Sequence, residues 1–198
     1  NWCADDRHVF IAAKDKCWQI DAATGEVVAS HPVAEANRDD WSYDWGFIAQ
    51  AGDLLVGSAE KAGAAFTSFW GDAGAGWYDA LEGPVTFKVC SDSLFVQRKS
   101  DGKVAWTYEN GVIINSTITV TDDKLYFVES RDNTVKQSQA RRVGLPELWQ
   151  QQFLVALELE SGRIIWEKPL ETVPGTVAFY LASGDDSLVI NASTDKKY

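Results

Sequence analysis

The sequence predicts an all-β chain, a β-propeller of four-stranded antiparallel blades, holding about three and a half blades of a ring of roughly seven or eight. Three observations predict it. One phrase of strand, polar turn, glycine and strand recurs three times along the chain. A tryptophan stands at the same offset after the glycine in two of the three copies. The stretches that break the repeat fall at the same place in the blade.

The copies are Arg7–Ala13 followed by Cys17–Val28, then Leu94–Trp106, then Phe153–Trp166. In each, an alternating strand runs into a polar turn closed by Gly25, Gly102 or Gly162, and a β-branched strand follows at once. A four- or five-residue hairpin loop built on a type I turn usually closes with one residue at positive φ, which glycine adopts without a Cβ penalty. Asp21 or Glu158, just before the turn, is placed to accept a backbone N–H within it. Trp106 and Trp166 each lie four residues beyond their glycine, so the period-two alternation of a strand puts both indoles on the same blade face. A large flat ring at a fixed place in each blade suits docking onto the neighbouring blade. The first copy departs from this, with Ala29 at that offset.

The glycines are 77 and 60 residues apart (25 to 102, 102 to 162), whereas a propeller blade takes about 40–45. Two segments account for the excess. Residues 57–86 are rich in Gly, Ala and aromatics without strand alternation, and residues 131–152 are polar, contain Pro146 and suit a short helical turn. The blades then run at about 1–30, 45–110, 112–170 and 176–198. The first lacks a clear inner strand and the fourth holds two strands only. Turns at Asp122-Asp123 and Gly184-Asp185-Asp186 join the first two strands of their blades. In such a blade the loops between strands two and three, and those between blades, emerge on one side. The insertions 57–86 and 131–152 and the connection 31–44 are therefore expected on one looped face.

Composition removes several classes of function. With 29 acidic against 18 basic residues the net charge is −11, and no basic cluster exceeds Arg141-Arg142 or Lys196-Lys197. A nucleic-acid partner would need a positive footprint, so none is expected. No apolar run is long enough to insert into a membrane. Nine Trp, nine Phe and six Tyr exclude a disordered chain. Cys3, Cys17 and Cys90 lack metal-knuckle spacing; Cys3 and Cys17 share a blade, leaving a disulfide or idle thiols as the two readings. His8 and His31 have no partner ligands in the sequence pattern and read as surface residues. The Gly71–Gly76 stretch lacks the lysine and helix of a phosphate loop. Asn115-Ser-Thr and Asn191-Ala-Ser match the glycosylation pattern but lie in strands. Three and a half blades are too few to close a ring of this kind, so further blades, or a second copy, are expected to complete it.

The turn phrases Ile20–Val27 and Ser161–Trp166 resemble the repeat of the pyrroloquinoline-quinone (PQQ)-like propeller family, with its tryptophan-docking motif, over nearly the whole chain apart from the insertions. That family includes quinoprotein alcohol dehydrogenases and outer-membrane assembly scaffolds of the BamB kind. The resemblance implies the fold, an exported or periplasmic location, and docking roles for Gly25, Gly102, Trp106, Gly162 and Trp166. It implies no particular activity, because the motif is architectural. The quinone enzymes use calcium on carboxylate and amide oxygens and an adjacent cysteine pair. Here Asn37, Asp39, Asp40 and Asp44 are the only dense acidic group and the cysteine pair has no counterpart, so no PQQ, calcium or other cofactor is expected.

Function is expected on the looped face, where long loops in a compact domain tend to act. Its candidates are Trp41, Tyr43, Asp44 and Trp45 in the connection and Phe69, Trp70, Trp77 and Tyr78 in the first insertion. Aromatic and acidic side chains together suit a protein partner, a small molecule or a glycan. The other reading makes these rings a local core capping the blades. The expected protein is a non-catalytic scaffold or binding domain, with a quinoprotein fragment and a glycan-binding module as alternatives.

Overall fold

The computed structural model describes residues 1–34, 41–65, 88–173, 175–184 and 187–194, and its regular structure is mostly antiparallel strand. The first blade is β1 (Trp2–Ala4), β2 (His8–Ala13), β3 (Lys16–Asp21) and β4 (Val27–Pro32), paired in that order. The inner strand unclear in the sequence is thus Trp2–Ala4, too short for alternation to register. The second blade is β5 (Tyr43–Ala51), β6 (Leu54–Lys61), β7 (Cys90–Arg98) and β8 (Val104–Tyr108). Strand β6 runs on to Lys61, so pairing persists five residues into the segment expected as insertion. Glu60 and Lys61 at that end are buried polar residues, which alternation of apolar side chains does not flag.

The third blade opens on a broken inner strand. β9 (Val112–Ile114) gives way to a 3₁₀ turn at Asn115–Thr117 and resumes as β10 (Thr119–Val120). β11 (Lys124–Ser130), β12 (Gln152–Glu158) and β13 (Ile164–Leu170) complete it. β9 pairs with β11 on one side and, through Cys90↔Ile114 and Ser91↔Ile113, with β7 on the other, so the second and third blades share one hydrogen-bonded sheet. The polar insertion carries a one-turn helix α1 (Asn133–Lys136), capped by Asp132 accepting from Thr134 N, and a 3₁₀ turn at Pro146–Trp149. A hairpin of β14 (Thr176–Gly184) and β15 (Ser187–Thr194) follows.

Alternation sends each strand's side chains into two successive blade joints. On β7, Phe95 joins Phe10, Cys17, Trp45 and Leu55 between blades one and two. Its neighbours Leu94 and Val96 join Phe127, Val155 and Leu157 between blades two and three. On β11, Phe127 faces that second cluster while Val128 faces a third with Val112, Leu148, Trp149 and Phe179 against the hairpin. Each joint is an apolar layer of the kind that supplies about 25 cal/mol per Å² of buried apolar area. The outward face of blade one stays open. Trp2, Ile11 and Trp18 lie in one cross-strand row, and Trp2 is 72% exposed.

The three turn glycines all adopt positive φ: +75° at Gly25, +66° at Gly102 and +69° at Gly162. Asp21 Oδ1 accepts from Ala23 N and Thr24 N at 2.9 and 2.8 Å. Glu158 does not repeat this: one methylene longer, its carboxylate reaches out to the Ser161 hydroxyl and the Arg163 guanidinium.

Candidate functional site

The looped side is where described parts of three loops meet. Lys61 Nζ, at the end of β6, donates to the carbonyls of Ser138 and Ala140 at 2.7 and 3.1 Å. Lys88 and Val143 exchange both backbone bonds, 2.8 and 2.9 Å, tying the end of the first insertion to the second. Arg142 Nε donates to Ala64 O. Asp44 Oδ2 accepts from Gly63 N at 2.8 Å, and Ala62 N donates to Ser42 O at 2.9 Å. A loop that ties its backbone groups to neighbouring loops leaves fewer conformations to be lost on binding.

Beneath these ties lies a buried polar node. Glu60, 2% exposed, accepts from Ala65 N at 3.2 Å and from Asn115 Nδ2 at 3.2 Å. The hydroxyls of Ser91 and Ser58 lie 2.8 Å apart, and Ser91 Oγ is 2.6 Å from Asn115 Oδ1. A Cβ on Gly46 would fall 2.7–2.8 Å from Asn115 Nδ2, Glu60 Oε2 and Ser91 Oγ, so only glycine allows the node to close. Burial, with Asp44 adding to it, pushes the Glu60 carboxyl up to about 7, while the Ala65 N–H, Arg142 and Asn115 pull the other way. A second ionic cluster sits at the root of the second insertion. Arg131 Nε donates to Glu129 Oε1 at 2.7 Å, its other nitrogens fork onto Glu167, and Tyr108 donates to Glu129 at 2.8 Å. Burial holds the Glu129 carboxyl above the usual carboxylate range.

Of the expected aromatic candidates, Tyr43 and Trp45 are core residues, 1% and 3% exposed. Trp45 meets Phe95 edge-on with centroids 4.8 Å apart, and the Tyr43 hydroxyl donates to Asp92 at 3.1 Å. β5 begins at Tyr43, two residues before the sequence placed it, so alternation turns these rings into the joint between blades one and two. Trp41 is half-buried against that cluster with Lys61 Nζ 5.2 Å from its ring centroid, and Asp44 serves the Gly63 turn. Phe69, Trp70, Trp77 and Tyr78, and Asn37, Asp39 and Asp40, lie outside the described residues. Asn115, read only as part of a weak glycosylation match, is instead the polar link between blades two and three. No group of three potential metal ligands occurs among the described residues.

The docking geometry falls on particular pairs. Trp106 lies flat over Gly162 and donates from Nε1 to Leu159 O at 2.8 Å. Trp166 is half-buried beside Tyr126, centroids 6.1 Å apart. Gly102 is faced not by an indole but by His31, whose Nδ1 is 3.2 Å from the position a Cβ would take. His31 is 2% exposed, contrary to its expected surface position. With Ala29 at the tryptophan offset and a register shift in β4, the next large side chain on that face is His31. Cys3, Cys17 and Cys90 are free thiols; Cys3 pairs with Phe10 on β2, whose other neighbour is Gln19, so β2 separates Cys3 from Cys17 on β3. Two strand spacings of about 4.8 Å put their Cα atoms beyond disulfide reach.

On the opposite, tight-turn side, an open cleft of about 390 Å³ between blades one and two is lined by Asp5, His8, Gln19, Asp53 and Lys99. Asp5 Oδ2 accepts from Lys99 Nζ at 2.7 Å, and its Oδ1 accepts from Arg7 N and His8 N. A second cleft of about 450 Å³ lies between blades two and three, among Leu54, Arg98, Asp122 and Glu160.

No family model and no curated protein sequence matches the chain. Solved structures do. Over 98% of this chain, a quinohemoprotein alcohol dehydrogenase, ADHIIG of Pseudomonas putida HK5, is similar at 15% identity with a TM-score of 0.52. The Pan2 WD40 domain of Neurospora crassa is 9% identical over 85% of the chain, TM-score 0.45, and the N-terminal domain of Nup159 is 8% identical over 98%, TM-score 0.45. This chain spans 38%, 30% and 47% of the Pan2, dehydrogenase and Nup159 chains respectively. At 15% identity the likeness to the dehydrogenase speaks for fold alone, and with the antiparallel four-stranded blades it establishes a partial β-propeller.

Proposed function

We propose that the chain belongs to an exported, non-catalytic propeller scaffold whose looped side receives a protein partner. The bracing of that side carries the reading: Lys61, Arg142, Asp44 and the Lys88–Val143 pair lock the described loop segments together. The Glu60–Asn115–Ser91 node is likewise committed to holding two blades together. A pre-organised rim suits recognition of a folded surface. The fold likeness to a quinohemoprotein dehydrogenase makes quinone chemistry the alternative outcome of the test.

The test uses the full-length protein. A photo-crosslinking residue at Arg141 on the looped side should capture a defined protein in the native host, while one at Asp123 on the tight-turn side should not. Equal capture from both sides removes the proposed face. PQQ-dependent dye reduction in the presence of calcium removes the non-catalytic reading.

A further inference from the structure

The first and second blades are joined differently from the second and third. Where Trp106 covers Gly162 and hydrogen-bonds to Leu159 O, the equivalent seat over Gly102 is filled by His31. The imidazole is buried, Nε2 lies 3.1 Å from Gln19 Oε1, and Nδ1 has no partner among the described residues. Phe10 lies on its other side, centroids 6.5 Å apart. Next to His31, Gln97 Nε2 donates to Pro32 O at 2.8 Å, linking β7 to the end of β4. Gln19 also lines the open tight-turn cleft, so one side chain separates the ring from solvent.

We propose that the joint between blades one and two is an acid-labile hinge, latched by neutral His31 over Gly102.

Among the described residues, no carboxylate is placed to receive a protonated His31. On β3 the nearest titratable group is Cys17, a thiol that burial pushes up to about 12. On β2, His8 sits 3.4 Å from Asp5. In the turn carrying Gly102, Lys99 is bonded to Asp5 and Gln50, and Asp101 to Arg98. Burial alone holds the His31 imidazole below its ordinary value. The latch therefore contributes its stability fully above the unfolded imidazole's value of about 6.5 and loses it as pH falls from there toward the lowered folded value. Over that window the opening constant of the joint rises about tenfold per pH unit. The joint between blades two and three has an indole in this seat and lacks that dependence.

Hydrogen exchange of this chain between pH 7.5 and 5.5, corrected for intrinsic rates, reads the hinge. The expected result is faster opening of β1–β4 at acid pH, with no acid-linked opening of β7, β11 and β12, and loss of that slope in His31→Phe. Glu60 titrates in the opposite sense over part of this range, so the difference between wild type and variant isolates His31. A slope retained in His31→Phe, or acid opening shared equally by all the blades, overturns the proposal. Should the variant fail to fold, NMR titration of the wild-type imidazoles decides it. The His31 imidazole should titrate below the ordinary value of histidine in the folded chain, and an ordinary or raised value overturns the hinge.

Discussion

Trp106 and Gly162 are in closer contact than any side chain on that turn would allow: a Cβ on Gly162 would fall 2.5 Å from the indole Cδ2. Gly162 is also held at a φ of +69°. Gly162→Ala should therefore cost roughly 2–4 kcal/mol, backbone strain and steric displacement combined. Gly25 has a similar φ of +75° but nothing within 4 Å, so Gly25→Ala should cost only about 1 kcal/mol. Chemical denaturation of the two variants measures the difference; equal losses would leave strain as the whole effect and remove the packing role of Trp106.

Trp45 provides the matching test for the expected aromatic site. Its ring and that of Phe95 close over Gly57, where a Cβ would meet both at about 2.5 Å. Trp45→Ala should cost about 3–5 kcal/mol, as large core truncations do. Trp41→Ala, at a half-buried position, should cost clearly less. A stable Trp45→Ala with weakened ligand binding would return Trp45 to the role expected from the sequence.

The Lys61 bonds predict a local effect. Lys61→Met keeps the stem but removes both donors to Ser138 and Ala140. Hydrogen exchange and limited proteolysis should increase around 137–142 while blade one is unchanged. Global unfolding at equal protein concentration would show that the ammonium holds the blades and not the loop.

Glu60 gives a pH dependence of definite sign. Its folded value, about 7, lies above the ordinary 4.5. The contribution is thus full below about 4.5 and is lost as pH rises through 7, where a buried carboxylate must ionise. Glu60→Gln should flatten stability between pH 5 and 8, and at pH 8 should be more stable than wild type by on the order of 1–3 kcal/mol. Thermal melts across that range check it, and an unchanged slope would assign the titration elsewhere.

Local chemistry was legible wherever it repeats. Gly25, Gly102 and Gly162 mark hairpins because one residue there must take positive φ, and Trp106 and Trp166 mark a common face because strands alternate. β1 escaped because three residues carry no period, and the end of β6 escaped because Glu60 and Lys61 are polar yet buried. His31 reads as a surface residue in the sequence because a lone histidine looks alike on a surface and in a seat. Tyr43 and Trp45 suggested a binding loop because aromatic and acidic residues crowd together there, and composition is silent on which way a side chain turns.

By itself, then, the sequence determined the repeat, the hairpins and the all-β class, all properties of short range and fixed periodicity. The tertiary structure alone decided which rings enter a blade joint, which serine meets Asn115, and that His31 sits over Gly102. Those outcomes depend on the registers of strands far apart in the chain, where a single-residue shift exchanges one face for the other. It also separated the joint that seats His31 over Gly102 from the one that seats Trp106 over Gly162, although both turns carry the same phrase.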